Sequence, residues 1–332
     1  MKKKYDLQEM KDNLIIYVSS RNNYDMLEHE VLKNIKLEGF EFINIDDKSS
    51  DAEIAKGKSI CKKHDIVFLE NKSRGVQMAT QTLIDWINKN RPKCKWIICF
   101  QHDNWPLTKD FFTRLSNLIA TNKLDDFGTM GFNVLAPNYT PKELAEFKNG
   151  NKVIGQVGIA NLSVHNLVQR WLCPDKNVNL SSNREKWLTP FIIESPLWAV
   201  GGINIEWWNN YIEPTTEYQF HLWFPDIAMQ LNYVNKPCII LPDLYIMNVT
   251  SLKEKYGIPG NSAAGAMSGD EYHFGTYNLH HNSWKARFGW DYEHPWDTYQ
   301  NVADRYEGTL ISEYWNHDIS KGPLKTFDLG EY

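Results

Sequence analysis

The sequence predicts an α/β fold organised on a parallel sheet, and three observations carry that expectation. Over the first 120 residues, short apolar runs alternate with segments whose apolar residues fall at helical spacing. Polar clusters at 19–22, 46–51 and 101–104 each follow directly on an apolar run. Ligands of open α/β sheets lie at the carboxyl ends of the strands, so these clusters are expected to converge on one crevice. Finally, 332 residues with 42% hydrophobic and 23% charged content suffice for a sizeable core.

The elements follow in chain order. Leu14-Ile15-Ile16-Tyr17-Val18 is a strand running into Ser19-Ser20-Arg21-Asn22. Met26, Leu27, Val31, Leu32 and Ile35 recur at helical spacing over 25–37, and Gly39 closes that segment. Phe40 to Ile45 alternates as a second strand, and a helix is expected over 52–63. Ile66 to Leu69 is a third strand. Val76, Ala79, Thr80, Leu83 and Ile87 form the core face of a helix that Arg91-Pro92 stops. Trp96 to Phe100 is fully apolar, as suits a strand buried on both faces. Leu107, Phe111, Leu115 and Leu118 then line another helix. Further strands are expected at Gly128–Leu135, Ile192–Val200 and Cys238–Leu241, and five glycines between 257 and 275 mark a flexible stretch.

Composition excludes several classes. The chain is neither a disordered polymer, a collagen-like fibre nor a disulfide-stapled miniature, and its net charge of −5 argues against bulk-charge affinity for nucleic acid. Five cysteines form no CxxC pair and read as buried reduced thiols. No apolar stretch approaches a membrane span, and no apolar segment follows Lys2-Lys3-Lys4, so a cytoplasmic location is expected. Of 13 tryptophans, ten lie from Trp171 onward, as do six of the histidines, so the two halves are expected to do different jobs.

Two strings carry the chemistry. In Ile45-Asp46-Asp47-Lys48-Ser49-Ser50-Asp51, a carboxylate at a strand's end can accept from the imide N–H of a uracil-type base or from ribose hydroxyls. Ser49 and Ser50 can cap the next helix, and taken alone the string is also an ordinary N-cap turn. In Gln101-His102-Asp103-Asn104, Asp103 is the natural oxygen ligand for Mg²⁺ or Mn²⁺ beside a nucleoside diphosphate, and His102 points to the other side if the segment stays extended. Taken alone, this string too can be a polar loop before a helix.

The order of these strings resembles that of the family-2-like glycosyltransferases, whose nucleotide-sugar-binding fold is called GT-A. The family's V-D-D-G-S-T-D matches Ile45 to Asp51 except at Lys48 and Ser50, with Ile45 standing for the similar Val. Its N-x-G-x-x-x-A segment matches Asn71, Gly75 and Ala79 with two extra residues between Asn and Gly. Its strand ending in D-x-D before a proline-started helix matches Trp96 to Pro106, with Gln101 in place of the first acid. The resemblance covers roughly residues 12–120. It is fainter beyond, where Glu194 to Val200 looks like the strand before the acceptor site and Pro225-Asp226 like the E-D segment that supplies a catalytic base.

What the resemblance implies is a GT-A-like (Rossmann-like) mixed, mostly parallel sheet flanked by helices, with an aromatic-rich C-terminal elaboration. Residues 1–250 would form the catalytic domain, with donor half 12–135 and acceptor half 136–250, and 251–332 a lid loop and extension. Ser19, Ser20, Arg21, Asp46, Asp47, Arg74, Gln101, His102 and Asp103 would bind the donor. Asp103 would take the metal with a C-terminal histidine, His273 or His281, neighbouring His280 being a further candidate. Asp226 would deprotonate the acceptor in an inverting displacement. The donor is expected to be a UDP-, dTDP- or GDP-sugar and the acceptor a saccharide or glycoconjugate. The alternatives are transfer to a modified DNA base, which would make nucleic acid the acceptor, and an inactive sugar- or nucleotide-binding relative. Tryptophans 198, 207, 208, 223, 284, 290, 296 and 315 are mostly core residues on this reading, with two or three at an acceptor cleft.

Overall fold

The computed structural model describes residues 11–135, 188–195, 200–218, 223–249, 252–256, 282–289, 305–317 and 321–332. Among the described residues nine strands form one mixed sheet in the order β3-β2-β1-β4-β8-β6-β9-β5, with β7 also on β9. They are β1 Leu14–Ser20, β2 Glu41–Asp46, β3 Val67–Glu70, β4 Trp96–Phe100, β5 Asn104–Pro106, β6 Thr129–Leu135, β7 Phe191–Ile193, β8 Gly201–Asn204 and β9 Cys238–Asn248. β1 to β4, β6 and β9 run one way; β5, β7 and β8 oppose them. The expected fold class is the one observed.

β1 and β4 lie side by side at its centre, Ile16 beside Ile98 and Val18 beside Phe100, and every residue of β4 is buried. Such continuous apolar strands need helical cover; after the short α1 (Tyr24–Met26), α2 (Asp51–Lys63), α3 (Val76–Asn90) and α4 (Phe111–Ala120) supply it on the β1–β4 side. Phe111 and Phe112 of α4 meet Phe100 edge to face, with centroids 6.4 and 6.0 Å away. Trp208 of α5 (Ile205–Tyr211), Trp223 of α6 (Trp223–Tyr233) and Trp284 are buried core residues, and Trp207 is half-buried. The other four named tryptophans fall outside the side chains described. The four described cysteines are free and buried. Among the described residues, no helix is long and apolar enough to cross a membrane.

Three expectations are corrected. The helix expected over 25–37 is broken: Tyr24–Met26 and Leu32–Asn34 are α-helical, whereas Leu27–Val31 is a π-turn, and Ile35 is already extended. The helix expected from Leu107 begins only at Phe111. Asn104 to Pro106 instead pair with Asn248 to Ile246 as an edge strand, where a proline is tolerated. The strand expected over 192–200 is shorter: β7 ends at Ile193 on β9, Glu194 and Ser195 bend away, residues 196–199 lie outside the described residues, and the next strand, β8, starts only at Gly201, between β4 and β6.

Candidate active site at the carboxyl edge of the sheet

The ends of β1 to β4 meet on one edge, as the polar clusters require. Backbone pairing continues past the strands, with Asp47 N–H donating to Ser20 O and Asn71 N–H to Asp46 O, both at 2.8 Å. Asn22 then fastens the β1 loop to the β2 loop. Its N–H donates to Ser49 Oγ and its Oδ1 accepts from Ser50 N–H, each at 2.9 Å. Lys48, where the related motif has glycine, has φ 60°, so the left-handed turn is kept without the residue that favours it. Of the two serines, Ser50 caps α2, accepting from Glu53 N–H at 3.4 Å.

The paired aspartates do different work. Asp46 Oδ2 accepts from Tyr24 Oη at 2.6 Å and its Oδ1 from Ser49 N–H at 3.1 Å, so both oxygens already have protein donors. Asp47 Oδ1 accepts from Asn71 Nδ2 at 2.7 Å and from Gly75 N–H at 2.8 Å, the residue that opens α3 with φ 101°. Its Oδ2 is buried with no hydrogen-bond partner. Burial raises the Asp47 carboxyl above its ordinary range, against the pull of Asn71, Gly75 and the cations Arg21 and Arg74. Both arginines therefore belong to the same neighbourhood as Asp47, at the ends of β1 and before α3. Ser19 lies half-buried in the last turns of β1, beside Ile45.

At the end of β4, Gln101 N–H donates to Asn104 Oδ1 at 2.7 Å, closing a tight turn. That turn brings His102 back over β1, where Nε2 lies 2.9 Å from Ser20 Oγ, rather than away from the site. Ser20 Oγ donates to Asn44 Oδ1, whose Nδ2 reaches Tyr24 Oη at 3.4 Å. Burial lowers His102 to about 4, so its ring is neutral at pH 7. Asp103 is buried and held by its main chain, its carbonyl accepting from Val249 N–H at 2.7 Å. Among the described residues no group of three His, Cys, Asp or Glu side chains is placed to hold a metal. His273, His280 and His281 lie outside the described residues. A single carboxylate suits an ion that arrives with substrate phosphates rather than one resident in a protein cage.

Asp226 stands in the first turn of α6, fully buried, two residues after Phe224, which packs against the start of β8 at Gly201. Its Oδ2 accepts from Gln77 Nε2 and Gln230 Nε2, each at 2.8 Å, and its Oδ1 faces Arg287 Nε at 3.5 Å. Burial raises it to about 6, with Arg287 and the two amides pulling the other way. Gln77 belongs to the first turn of α3, two residues from the Gly75 that holds Asp47. Asp226 is thus anchored at the same helix terminus as the β2 carboxylate. Sequence reading missed Gln77, Gln230, Arg287 and Tyr24. The signal for Gln77 was its place one helical row from the core face, with buried Ile84 seven residues on.

Neither a family profile nor a curated protein matches the sequence. Among solved structures, GalNAc-T7 with UDP, GalNAc and Mn²⁺ is similar at TM-score 0.43 and 11% identity, covering 71% of this chain and 44% of that one. The mannosyltransferase PcManGT from Pyrobaculum calidifontis, with GDP-Man and Mn²⁺, is similar at TM-score 0.44 and 10% identity, covering 93% and 85%. S. aureus TarS 1–349 with UDP gives TM-score 0.43 and 12% identity, covering 87% and 75%. This chain spans less than half the length of GalNAc-T7. At such scores and identities none of the three assigns an activity to it.

Proposed function

We propose that the protein is a glycosyltransferase that moves a sugar from a nucleotide donor to a saccharide or glycoconjugate acceptor. The observation that carries this reading is the meeting of Asp47, with its unpartnered buried oxygen, and Asp226 on the same terminal turn of α3. Asp47 faces the donor's base or ribose, and Asp46 holds the loop through Tyr24 and Ser49. Arg21 and Arg74 bring positive charge beside the diphosphate. Asp103 would hold a divalent ion brought by that diphosphate, which supplies charge neutralisation for the departing group. Asp226 takes the proton of the acceptor hydroxyl as its oxygen attacks the anomeric carbon, and a carboxyl near 6 suits a base at neutral pH.

The test is release of nucleotide from a panel of UDP-, dTDP- and GDP-sugars with Mn²⁺, with candidate saccharides as acceptors. Release from one nucleotide class, with thermal stabilisation by the same nucleotide, is expected. No release and no stabilisation by any of them would overturn the reading.

A further inference from the structure

The two oxygens of Asp226 are held differently. Oδ2 accepts from two amides, whereas Oδ1 accepts no hydrogen bond among the described residues and lies 3.5 Å from Arg287 Nε. Gln77 is itself fixed at both ends of its amide. Its Nε2 donates to Trp223 O at 3.0 Å as well as to Asp226, and its Oε1 accepts from Thr215 N–H at 2.9 Å. Being fully buried, it cannot swing away from Asp226 without leaving several polar groups unsatisfied. Its three contacts also join three segments: α3, the loop before residue 218 and the first turn of α6.

We propose that Gln77 is the positioning residue of the reaction, tying up Oδ2 of Asp226 so that Oδ1 is the oxygen that takes the acceptor's proton. This rests on the base reading of Asp226 given above. The acceptor O–H proton goes to Oδ1 while the acceptor oxygen bonds to the anomeric carbon. The bond from that carbon to the diphosphate oxygen breaks, and the leaving diphosphate keeps its electron pair. Because Gln77 lies two residues after Gly75, one helical turn sets the spacing between the donor-side carboxylate and the base. A misplacement of about 1 Å is enough to cost about a hundredfold in rate. The groups facing Asp226 are Arg287 from residues 282–289, Glu217 and Tyr218 from the preceding loop, and Gln77 and Gln230; Glu213 lies 3.9 Å from Arg287.

The experiment compares nucleotide release by wild type, Gln77→Met, Gln230→Met and Asp226→Asn, using the sugar nucleotide that gives turnover in the panel. Gln77→Met is expected to lower kcat roughly 10- to 100-fold with an unchanged donor KM. It should also move the acid limb of the kcat profile to higher pH, since a hydrogen bond favouring the carboxylate is lost. Gln230→Met, at a half-buried position, should move both in the same direction by less. A Gln77→Met protein with lowered thermal stability but wild-type kcat and acid limb would overturn the proposal. If that variant does not fold, an unmoved kcat and limb in Gln230→Met overturns it. Retention of full release by Asp226→Asn would instead defeat the base reading itself.

Discussion

Two buried carboxyls at opposite ends of α6 show what surroundings make of the same group. Asp226 sits in the first turn, at the edge where β1 to β4 end; Asn232, in the last, donates to the backbone carbonyl of Glu194 at 2.6 Å. Both side chains are fully buried. Asp226 has two amide donors and a guanidinium, and burial lifts it only to about 6. Among the described residues neither oxygen of Glu194 has a hydrogen-bond partner, with Tyr314 and Cys238 close by, and burial drives it well above the carboxylate range. Asp226 can therefore change protonation near neutrality, whereas burial holds Glu194 above the ordinary carboxylate range. Burial alone drives a carboxyl far up; burial with a few directed donors leaves it near neutrality.

The contrast can be broken most sharply at Glu194. Its folded value lies above the unfolded value of about 4.3, so its contribution to stability is complete below that pH and lost as pH rises toward the folded value. Glu194→Gln should match wild type near pH 4 and become increasingly more stable as pH rises, which urea unfolding at pH 4, 6 and 8 would read. A constant difference between the two proteins across that range would contradict the upward shift. A second test lies at Asp46, both of whose oxygens are held by protein donors. Tyr24→Phe, which removes the 2.6 Å bond to Oδ2, should cost about 2 kcal/mol at pH 7. An unchanged urea midpoint would show that Tyr24 does not support the loop.

Much of the donor side was legible because its signals are local. Apolar runs placed β1, β2 and β4, the spacing of Val76 to Ile87 placed α3, and the polar string after β2 placed Asp46 and Asp47 at a strand end. The division of labour between those aspartates was not legible. It depends on Tyr24 and Asn71, each more than 20 residues away in sequence. The same holds for Gln77, whose partner Asp226 lies 149 residues on. The strand expected over Cys238–Leu241 is only the first part of β9, because Pro242 and Asp243 interrupt the apolar run there. The strand in fact continues past a register shift opposite Phe132 and Asn133, and its far part is what captures β5. The π-turn at Leu27–Val31 keeps apolar spacing close enough to 3.6 to pass for a plain helix.

The central claim is that Asp226 is the base, and Asp226→Asn tests it most directly through the rate of nucleotide release at pH 8 with the active donor and acceptor. The expected result is a fall of about 10²- to 10⁴-fold with donor binding intact. It should come in a protein more stable than wild type by up to about 3 kcal/mol, because the cost of ionising a carboxyl raised to about 6 is removed. A variant that releases nucleotide at the wild-type rate would contradict the account and leave Asp226 as a helix anchor between α3 and α6.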